Sequence, residues 1–252
     1  MNKLKALNNL RKKLNSGKHT IGTWMQIPHP SIAEILGGSN FDWIAVDMEH
    51  GSISVNQLPD IFRAIELSDT LPFVRVIEGS VKEFKQVLDA GAAGIIIPKV
   101  ETKEQLVDFC LNSKWPPSGE RGVGFSRANL FGEDFDKYKT IAQKPYIVAM
   151  IESKLGFSNL ESIIEVKGLD AILIGPYDLS ASFGMIADFD NKNFISIIDK
   201  IKSIAKANKI NFGIHVIEPK MELVQKAIDD GFTFIPYSID AVFLAKNSKN
   251  IL

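Results

Sequence analysis

Residues 44–51 read Ile-Ala-Val-Asp-Met-Glu-His-Gly (IAVDMEHG), and this stretch decides which fold the sequence predicts. It begins as an apolar run typical of a buried strand and then places two acids and a histidine within four positions. Ionisable groups directly after a buried strand are compatible with a helix start, a metal site, or a proton-transfer group at the mouth of a barrel. The rest of the chain is needed to choose between these three interpretations.

Seven further runs of the same kind are spread along the chain, so the sequence predicts eight strands. Most are nearly continuous apolar runs, which is the pattern of parallel strands covered on both faces by helices. The predicted strands are residues 20–27, 43–48, 72–76, 94–98, 146–151, 171–174, 212–216 and 233–237.

Amphipathic segments lie between the predicted strands, and several of them end at Gly or Asn. The predicted helices are residues 30–37, 54–67, 80–90, 103–112, 157–166, 192–208, 218–230 and 239–247. Eight strand and helix units predict a (β/α)8 TIM barrel, an α/β fold, with residues 3–16 as an extra N-terminal helix and residues 1–252 as one domain. The alternative is a doubly wound open sheet, which would need fewer strands or a clear nucleotide-binding loop.

One connection is much longer than an ordinary barrel loop. Residues 112–144 are rich in Gly, Pro and charged residues. Loops of this length are usually functional, and the other interpretation is a contact between subunits.

Composition restricts the classes of partner. With 29 Lys and Arg against 30 Asp and Glu, the chain has no basic excess for nucleic acid, so we expect none as a partner. Its single cysteine, Cys110, lies among apolar residues and is interpreted as a buried structural thiol in a reducing compartment. No apolar run approaches the roughly 20 residues that span a bilayer, so we expect no membrane partner and a cytoplasmic location.

In a TIM barrel, the side chains at the carboxyl ends of the strands converge on one mouth, where the active site lies. The strand ends therefore form a list of candidates without any motif. They are Asp47, Glu49, His50, Arg75, Lys99, Glu101, Glu152 and Asp178.

Glu152 and Asp178 are the candidates for a metal site. Each follows an apolar strand, the two strands are neighbours, and carboxylate oxygens suit Mg²⁺ or Mn²⁺. The alternative is that Glu152 caps the following helix and that Asp178 caps the turn before Leu179.

The other candidates each have a catalytic and a structural interpretation. His50 is a candidate general base, oriented by Asp47 or Glu49, or else a histidine that closes a loop. Arg75 interrupts an apolar strand, so it either stabilises negative charge on a substrate or forms a salt bridge to Glu101 or Glu49. Lys99 offers the different chemistry of a Schiff base with a ketone.

The chain resembles the HpcH/HpaI aldolase family of metal-dependent pyruvate aldolases over nearly its whole length. The resemblance rests on several motifs together, of which the last is the most specific. They are FDWIAVDMEHG, PFVRV, GAAGIIIPKVET, PPSGERGVG, MIES and GLDAILIGPYDLSASFG.

The resemblance implies an enzyme that reversibly cleaves a 4-hydroxy-2-oxo acid to pyruvate and an aldehyde through a metal-bound enolate. It implies Glu152 and Asp178 as ligands of Mg²⁺, Mn²⁺ or Co²⁺, and His50 with Asp47 as the base dyad. Arg75 would contact the keto oxygen of pyruvate. The backbone amides of Tyr177 and Asp178 would lie near its carboxylate, and Trp24 would wall the aldehyde side.

The resemblance also implies a homo-oligomer, a hexamer built as a trimer of dimers, whose long loop containing Arg121 reaches a neighbouring active site. The chain departs from the family pattern at Met150, where many members have Gln, and in a shortened loop after Gly124. These departures and His215 leave the aldehyde partner undetermined. A related 2-oxo-acid lyase, an oxaloacetate decarboxylase and a non-catalytic 2-oxo-acid-binding barrel are the alternatives.

Overall fold

The computed structural model describes residues 1–249; residues 250–252, which belong to the predicted single domain, lie outside the described part. All eight predicted strands are confirmed, with ends shifted by two residues or fewer. The strands are β1 Thr20–Met25, β2 Trp43–Asp47, β3 Leu71–Arg75, β4 Gly94–Ile97, β5 Tyr146–Ile151, β6 Ala171–Ile174, β7 Asn211–Ile214 and β8 Phe234–Ile239.

The strands form one parallel sheet in the order β7-β6-β5-β4-β3-β2-β1-β8, which curls into a barrel. Between β7 and β8 the contact is a parallel bridge of Val216 with Tyr237. Helices cover the outer face of the sheet, so the predicted TIM barrel is confirmed. Because the strands are parallel, their carboxyl ends all lie at one end of the barrel.

The helices follow the predicted alternation of strand and helix. They are α1 Lys3–Asn15, α2 Pro30–Gly37, α3 Leu58–Glu66, α4 Val81–Ala90, α5 Lys103–Ser113, α6 Phe135–Ala142, α7 Lys154–Ser158, α8 Leu160–Ile163, α9 Pro176–Ser182, α10 Lys192–Ala207, α11 Met221–Asp229 and α12 Asp240–Asn247, with 3₁₀ turns at Val55–Gln57 and Arg127–Gly132. Within residues 1–249, none of the helices combines the length and the apolar character needed to cross a bilayer.

Two helices were not predicted. The long connection contains α6 in its second half, and α9 begins directly after β6 with a proline in its first turn. Each has eight residues or fewer, too few turns for a 3.6-residue period to show in the sequence. The predicted helix over residues 157–166 is instead the two short helices α7 and α8.

Aromatic rings fill the barrel near the amino ends of the strands. Trp43 stacks on Phe234 with ring centroids 4.3 Å apart. The ring of Trp43 also lies where a side chain on Gly22 would be, since a Cβ there would come within 2.2 Å of it. Helix α1 covers this end of the barrel with buried leucines. The opposite end of the barrel remains open for a site.

Candidate active site

The polar side chains predicted from the strand ends gather at the carboxyl end of the barrel. Asp47 is the last residue of β2 and Arg75 the last of β3, and the register of the two strands pairs these two residues. Glu152 follows β5 directly, and Asp178 lies in the first turn of α9 after β6.

Arg75 and Asp47 form a buried bidentate ion pair. The guanidinium donates from Nε to Asp47 Oδ1 at 2.8 Å and from Nη2 to Oδ2 at 2.7 Å. Gln26 donates to the same carboxylate at 2.8 Å, and so do the backbone amides of Glu49 and His50. Burial opposes the charge of Asp47, but these hydrogen bonds and the charge of Arg75 outweigh it and lower its pKa. The pair holds the guanidinium in one orientation.

The remaining part of the guanidinium faces Glu49 and Trp24. Arg75 Nη1 lies 3.0 Å from Glu49 Oε2, an ion pair that does not meet hydrogen-bond geometry among the described residues. Burial raises the pKa of Glu49, with Arg75 opposing this rise. The guanidinium also lies 4.4 Å from the ring centre of Trp24, which is almost fully buried. In this structure the ring of Trp24 therefore lies against Arg75, and the position of Trp24 on the aldehyde side, which the resemblance implies, stays a prediction.

His50 stands beside Glu49 at the rim of the site. Its ring is 60% exposed, and Nε2 lies 4.0 Å from Glu49 Oε2. The hydrogen bonds of Asp47 run to Arg75, Gln26 and two backbone amides, so Asp47 holds His50 through its backbone. Of the two acids considered for orienting the ring, Glu49 is the one that the structure brings next to it.

Glu152 is a buried carboxylate at the floor of the site. Only 7% of the residue is exposed, and Oε1 accepts a hydrogen bond of 2.6 Å from the backbone amide of Lys99. Burial raises the pKa of Glu152 to about 7, and the negative charges of Glu49 and Asp178 add to this rise. Gly175 makes room for the carboxylate, because a Cβ there would come within 2.6 Å of Glu152 Oε2.

Some of these groups line one cavity of about 440 Å³. Glu152, Asp178, Glu49, His50 and the exposed Lys99 are among the residues that line it. Asp178 is exposed and belongs to the same turn as Tyr177. Tyr177 and His215 are at one end of a second cavity of about 580 Å³, which lies mainly between α10 and α11 on the outer face of the sheet.

The residues present fit a divalent cation held by two protein ligands. Within residues 1–249, no three His, Cys, Asp or Glu side chains stand close enough together to form a complete protein-only metal site. Glu152 and Asp178 nevertheless border one cavity, and their like charges, with that of Glu49, destabilise one another. A cation with hard oxygen ligands relieves this repulsion, and the other ligand positions are left for water and substrate.

Two contributors to the site were not singled out from the sequence. Gln26 directly follows β1. A polar residue after the run TIGTWM could therefore have placed it among the candidates at the strand ends. Gly175 has no such signal, since its role depends on the close approach of Glu152 from the end of the neighbouring strand β5.

The raised pKa of Glu152 predicts that the metal-free protein loses stability as the pH rises. The carboxyl has an ordinary pKa of 4.5 and a folded pKa of about 7, so between these values the folded state binds more protons than the unfolded chain. The free energy of unfolding therefore falls as the pH rises from about 4.5 to about 7, by at most about 3 kcal/mol.

Urea titrations of the metal-free wild type and Glu152→Gln at pH 5 and pH 8 measure this effect. The variant has no charge to bury, so it should gain stability relative to the wild type at pH 8. A difference between the two proteins that does not change with pH would contradict the prediction.

Comparisons with known proteins agree on one family of aldolases and lyases. Residues 20–246 match the family model described as HpcH/HpaI aldolase/citrate lyase. The chain is 36% identical to the hydroxypyruvate/pyruvate aldolase of Roseobacter denitrificans, over 97% of this chain and 96% of that protein. It is 34% identical to the 4-hydroxy-2-oxovalerate aldolase of Novosphingobium aromaticivorans, over 96% and 92% respectively. A crystal structure of an HpcH/HpaI aldolase/citrate lyase family protein from Burkholderia cenocepacia superposes with a TM-score of 0.90 at 27% identity, covering 96% of each chain.

Proposed function

The chain belongs to the HpcH/HpaI aldolase/citrate lyase family, and from this membership we propose how its own residues carry out the reaction. Its aldolase relatives make it a carbon–carbon lyase of the class II pyruvate aldolase type. The reaction is the reversible cleavage of a 4-hydroxy-2-oxo acid to pyruvate and an aldehyde. The observation that supports these site assignments most strongly is the locked Arg75 guanidinium beside a cavity lined by Glu49, Glu152 and Asp178.

Glu152 and Asp178 are the residues that we propose to hold a divalent cation, Mg²⁺, Mn²⁺ or Co²⁺. Dependence on such a metal is general in this family, and a bound cation would supply Lewis-acid polarisation of the substrate's 2-oxo group. The buried carboxylate of Glu152 and the space left by Gly175 support this assignment.

Arg75 stabilises the negative charge that develops on the keto oxygen. Asp47 takes one N–H from Nε and one from Nη2, which leaves N–H groups on Nη1 and Nη2 for the substrate. Since Asp47 and Trp24 already fix the guanidinium, little reorganisation is needed when the charge appears. The backbone amides of Tyr177 and Asp178, which have no acceptor within α9 because they lie in its first turn, are near the substrate carboxylate in this proposal.

His50 moves the proton at the other end of the substrate. In cleavage it accepts the proton of the 4-hydroxyl, directly or through water, as the C3–C4 bond breaks and the aldehyde leaves. The electron pair of that bond remains on C3 as the pyruvate enolate, and His50 then returns the proton to C3, directly or through water. Its exposed ring and its approach to Glu49 at 4.0 Å support this role.

A panel assay tests the reaction. Purified protein with Mn²⁺ is given 4-hydroxy-2-oxo acids, oxaloacetate and pyruvate alone, and products are identified by NMR. Pyruvate and an aldehyde from the hydroxy acids support the proposal, whereas turnover of oxaloacetate alone, to pyruvate and carbon dioxide, would favour the decarboxylase. Trapping of pyruvate on Lys99 with borohydride, together with full activity in chelator, would contradict the metal mechanism.

Replacement of His50 by alanine should slow the exchange of pyruvate C3 protons with D₂O by about 100-fold, because a positioned general base contributes at least this much. One-dimensional NMR of pyruvate follows the exchange. His29→Asn is the matched control, since His29 is exposed and caps α2 through Nδ1, a role that asparagine can fill. An exchange rate in His50→Ala equal to that of the control removes His50 from the mechanism.

Assembly and location belong to the same proposal. We propose a hexamer, a trimer of dimers, in which the long connection is a contact between subunits. Its support is the exposure of large apolar side chains in that connection, including Phe125 and Phe131. Arg121, in contrast, is buried and donates to Tyr138 within the same chain.

A cytoplasmic location is supported by the chain's single, buried cysteine.

A further inference from the structure

Three polar side chains stand in one row across β1, β2 and β3 at the carboxyl end of the barrel. The register pairs Met25 with Val46 and Asp47 with Arg75. Gln26, the residue directly after β1, therefore comes next to Asp47. The row is Gln26, Asp47 and Arg75, and of its three members Gln26 is the one without a role in the mechanism above.

The row faces the interior of the barrel. Trp24, Ala45 and Phe73, each two residues before a member of the row, belong to the core cluster that fills the barrel. Side chains alternate along a strand, so residues two positions later point to the same face. Gln26, which is half-buried, therefore points inward beside Asp47.

Gln26 completes the hydrogen bonding of the Asp47 carboxylate. Its Nε2 donates to Oδ2 at 2.8 Å, the same oxygen that accepts from Arg75 Nη2 at 2.7 Å. The other oxygen, Oδ1, accepts from Arg75 Nε and from two backbone amides. Within residues 1–249 the bond to Asp47 is the only hydrogen bond of the Gln26 side chain, so Gln26 acts on the site through Asp47.

The backbone of Gln26 is held from two sides. Asp240, the buried first residue of α12, accepts hydrogen bonds from the amides of Gln26 and Ile27 at 2.9 Å each. On the other side lies the turn after β2, where a Cβ on Gly51 would come within 3.2 Å of Gln26 Cα. The Gln26 side chain therefore extends from a backbone that is fixed relative to Asp47.

The orientations of the Asp47 carboxylate and the Arg75 guanidinium are coupled, because a bidentate pair joins them through two hydrogen bonds. A carboxylate that turns about its Cβ–Cγ bond turns the guanidinium with it and moves the N–H groups that are left for the substrate. Gln26 opposes this rotation, since it binds Oδ2 from β1 while Arg75 binds from β3, on the other side of β2.

We propose that Gln26 is a positioning residue: through Asp47 it keeps the Arg75 guanidinium aligned with the keto oxygen on which negative charge develops. The proposal rests on the proposed aldolase function and adds a residue to its machinery. Glutamine suits this role, because its amide donates a hydrogen bond without bringing a charge to Asp47.

Replacement of Gln26 by methionine removes the donor and keeps the length of the side chain. We expect kcat for cleavage of a 4-hydroxy-2-oxo acid to fall about tenfold, because a hydrogen bond to a charged, preorganised group is lost. KM for the acid should stay near the wild-type value, since the charge on the keto oxygen develops only in the transition state. Gln225→Met is the matched control, because Gln225 donates from Nε2 to Asp229 at 2.8 Å on the exposed surface of α11.

Gln26→Glu gives a readout that a purely structural role would not move. When protonated, the introduced carboxyl can donate to Asp47 as glutamine does; when ionised, it has no donor and repels Asp47. The carboxylates of Asp47 and Asp240 lie next to this position and raise the pKa of the introduced carboxyl, whereas Arg75 opposes them with a charge already paired to Asp47. The kcat of Gln26→Glu relative to the wild type should therefore be highest at pH 5 and fall toward pH 8, while the ratio for Gln26→Met stays constant.

The outcomes separate this inference from the function on which it rests. A kcat for Gln26→Met within about twofold of that for Gln225→Met overturns the inference and leaves the aldolase function standing. A ratio for Gln26→Glu that is the same at pH 5 and pH 8 overturns it too, since the reaction then does not depend on a donor at this position. If the wild type forms no pyruvate from any 4-hydroxy-2-oxo acid and exchanges no C3 protons of pyruvate, the proposed function fails and the inference fails with it.

Discussion

Replacement of Glu152 by glutamine is expected to lower kcat for cleavage of a 4-hydroxy-2-oxo acid by about 10⁴-fold, because the proposed cation loses its one buried carboxylate ligand. A Lewis acid on a carbonyl contributes several kcal/mol to transition-state stabilisation, and each 1.36 kcal/mol is about a tenfold change in rate. Removal of the metal from the wild type with a chelator should have the same effect, and added Mn²⁺, Mg²⁺ or Co²⁺ should reverse it.

The variant should remain folded, which makes a loss of activity interpretable. The glutamine oxygen can still accept the hydrogen bond that the amide of Lys99 donates to Glu152, and a buried negative charge is removed. Glu161→Gln is the matched control, since Glu161 is exposed on α8 and the substitution is the same.

Mn²⁺ binding measured by electron paramagnetic resonance gives a readout that does not depend on activity. Glu152→Gln should bind Mn²⁺ at least 100-fold more weakly than the wild type, because loss of an outer-shell partner of a metal ligand alone costs about 10- to 100-fold. If Glu152→Gln binds Mn²⁺ as tightly as Glu161→Gln does, Glu152 is not a ligand and the metal site must lie elsewhere.

Replacement of Arg75 by lysine is expected to lower kcat/KM by about 10³-fold. Lysine keeps the charge, but it lacks the planar fork that donates to both oxygens of Asp47 while other N–H groups face the substrate. Loss of one preorganised donor at a developing oxyanion typically costs 10²- to 10³-fold, and lysine would also lose its fixed position over Trp24. Steady-state kinetics with a fixed 2-oxo acid measures the change.

A second bidentate pair at the opposite end of the barrel provides the control. Arg11 donates from Nε and Nη2 to the two oxygens of Asp170 at 2.8 and 3.0 Å, so Arg11→Lys breaks the same kind of fork far from the site. Both variants should lose stability, but activity should fall in Arg75→Lys alone. A kcat/KM for Arg75→Lys within tenfold of that for Arg11→Lys would show that Arg75 acts through stability and not through the transition state.

The barrel could be predicted because apolar runs and amphipathic segments alternate from one end of the chain to the other. Most strands are buried on both faces, so their apolar runs are visible without knowledge of their neighbours. Helices α6 and α9 were missed because they are short, and the two-part α7 and α8 was predicted as one helix because its apolar residues run through the break.

The site could be predicted as a list but not as a set of contacts. The carboxyl ends of the strands identified Asp47, Arg75, Glu152 and Asp178, and the structure brings these residues to one end of the barrel. Closeness in the sequence suggested that Asp47 or Glu49 orients His50. The register between β2 and β3 instead places Arg75 opposite Asp47, so the Asp47 carboxylate is occupied and Glu49 is left beside the histidine.

The sequence by itself determined the alternation of strands and helices and which residues stand at the strand ends, because both depend on the order of apolar and polar residues along the chain. Tertiary structure alone decided which of those residues touch. Glu152 lies against Gly175, which follows the neighbouring strand β6, and Arg75 is held by Asp47 at the end of β2. Contacts of this kind depend on strand register and on distances of a few ångströms between segments far apart in the chain, which no local pattern encodes.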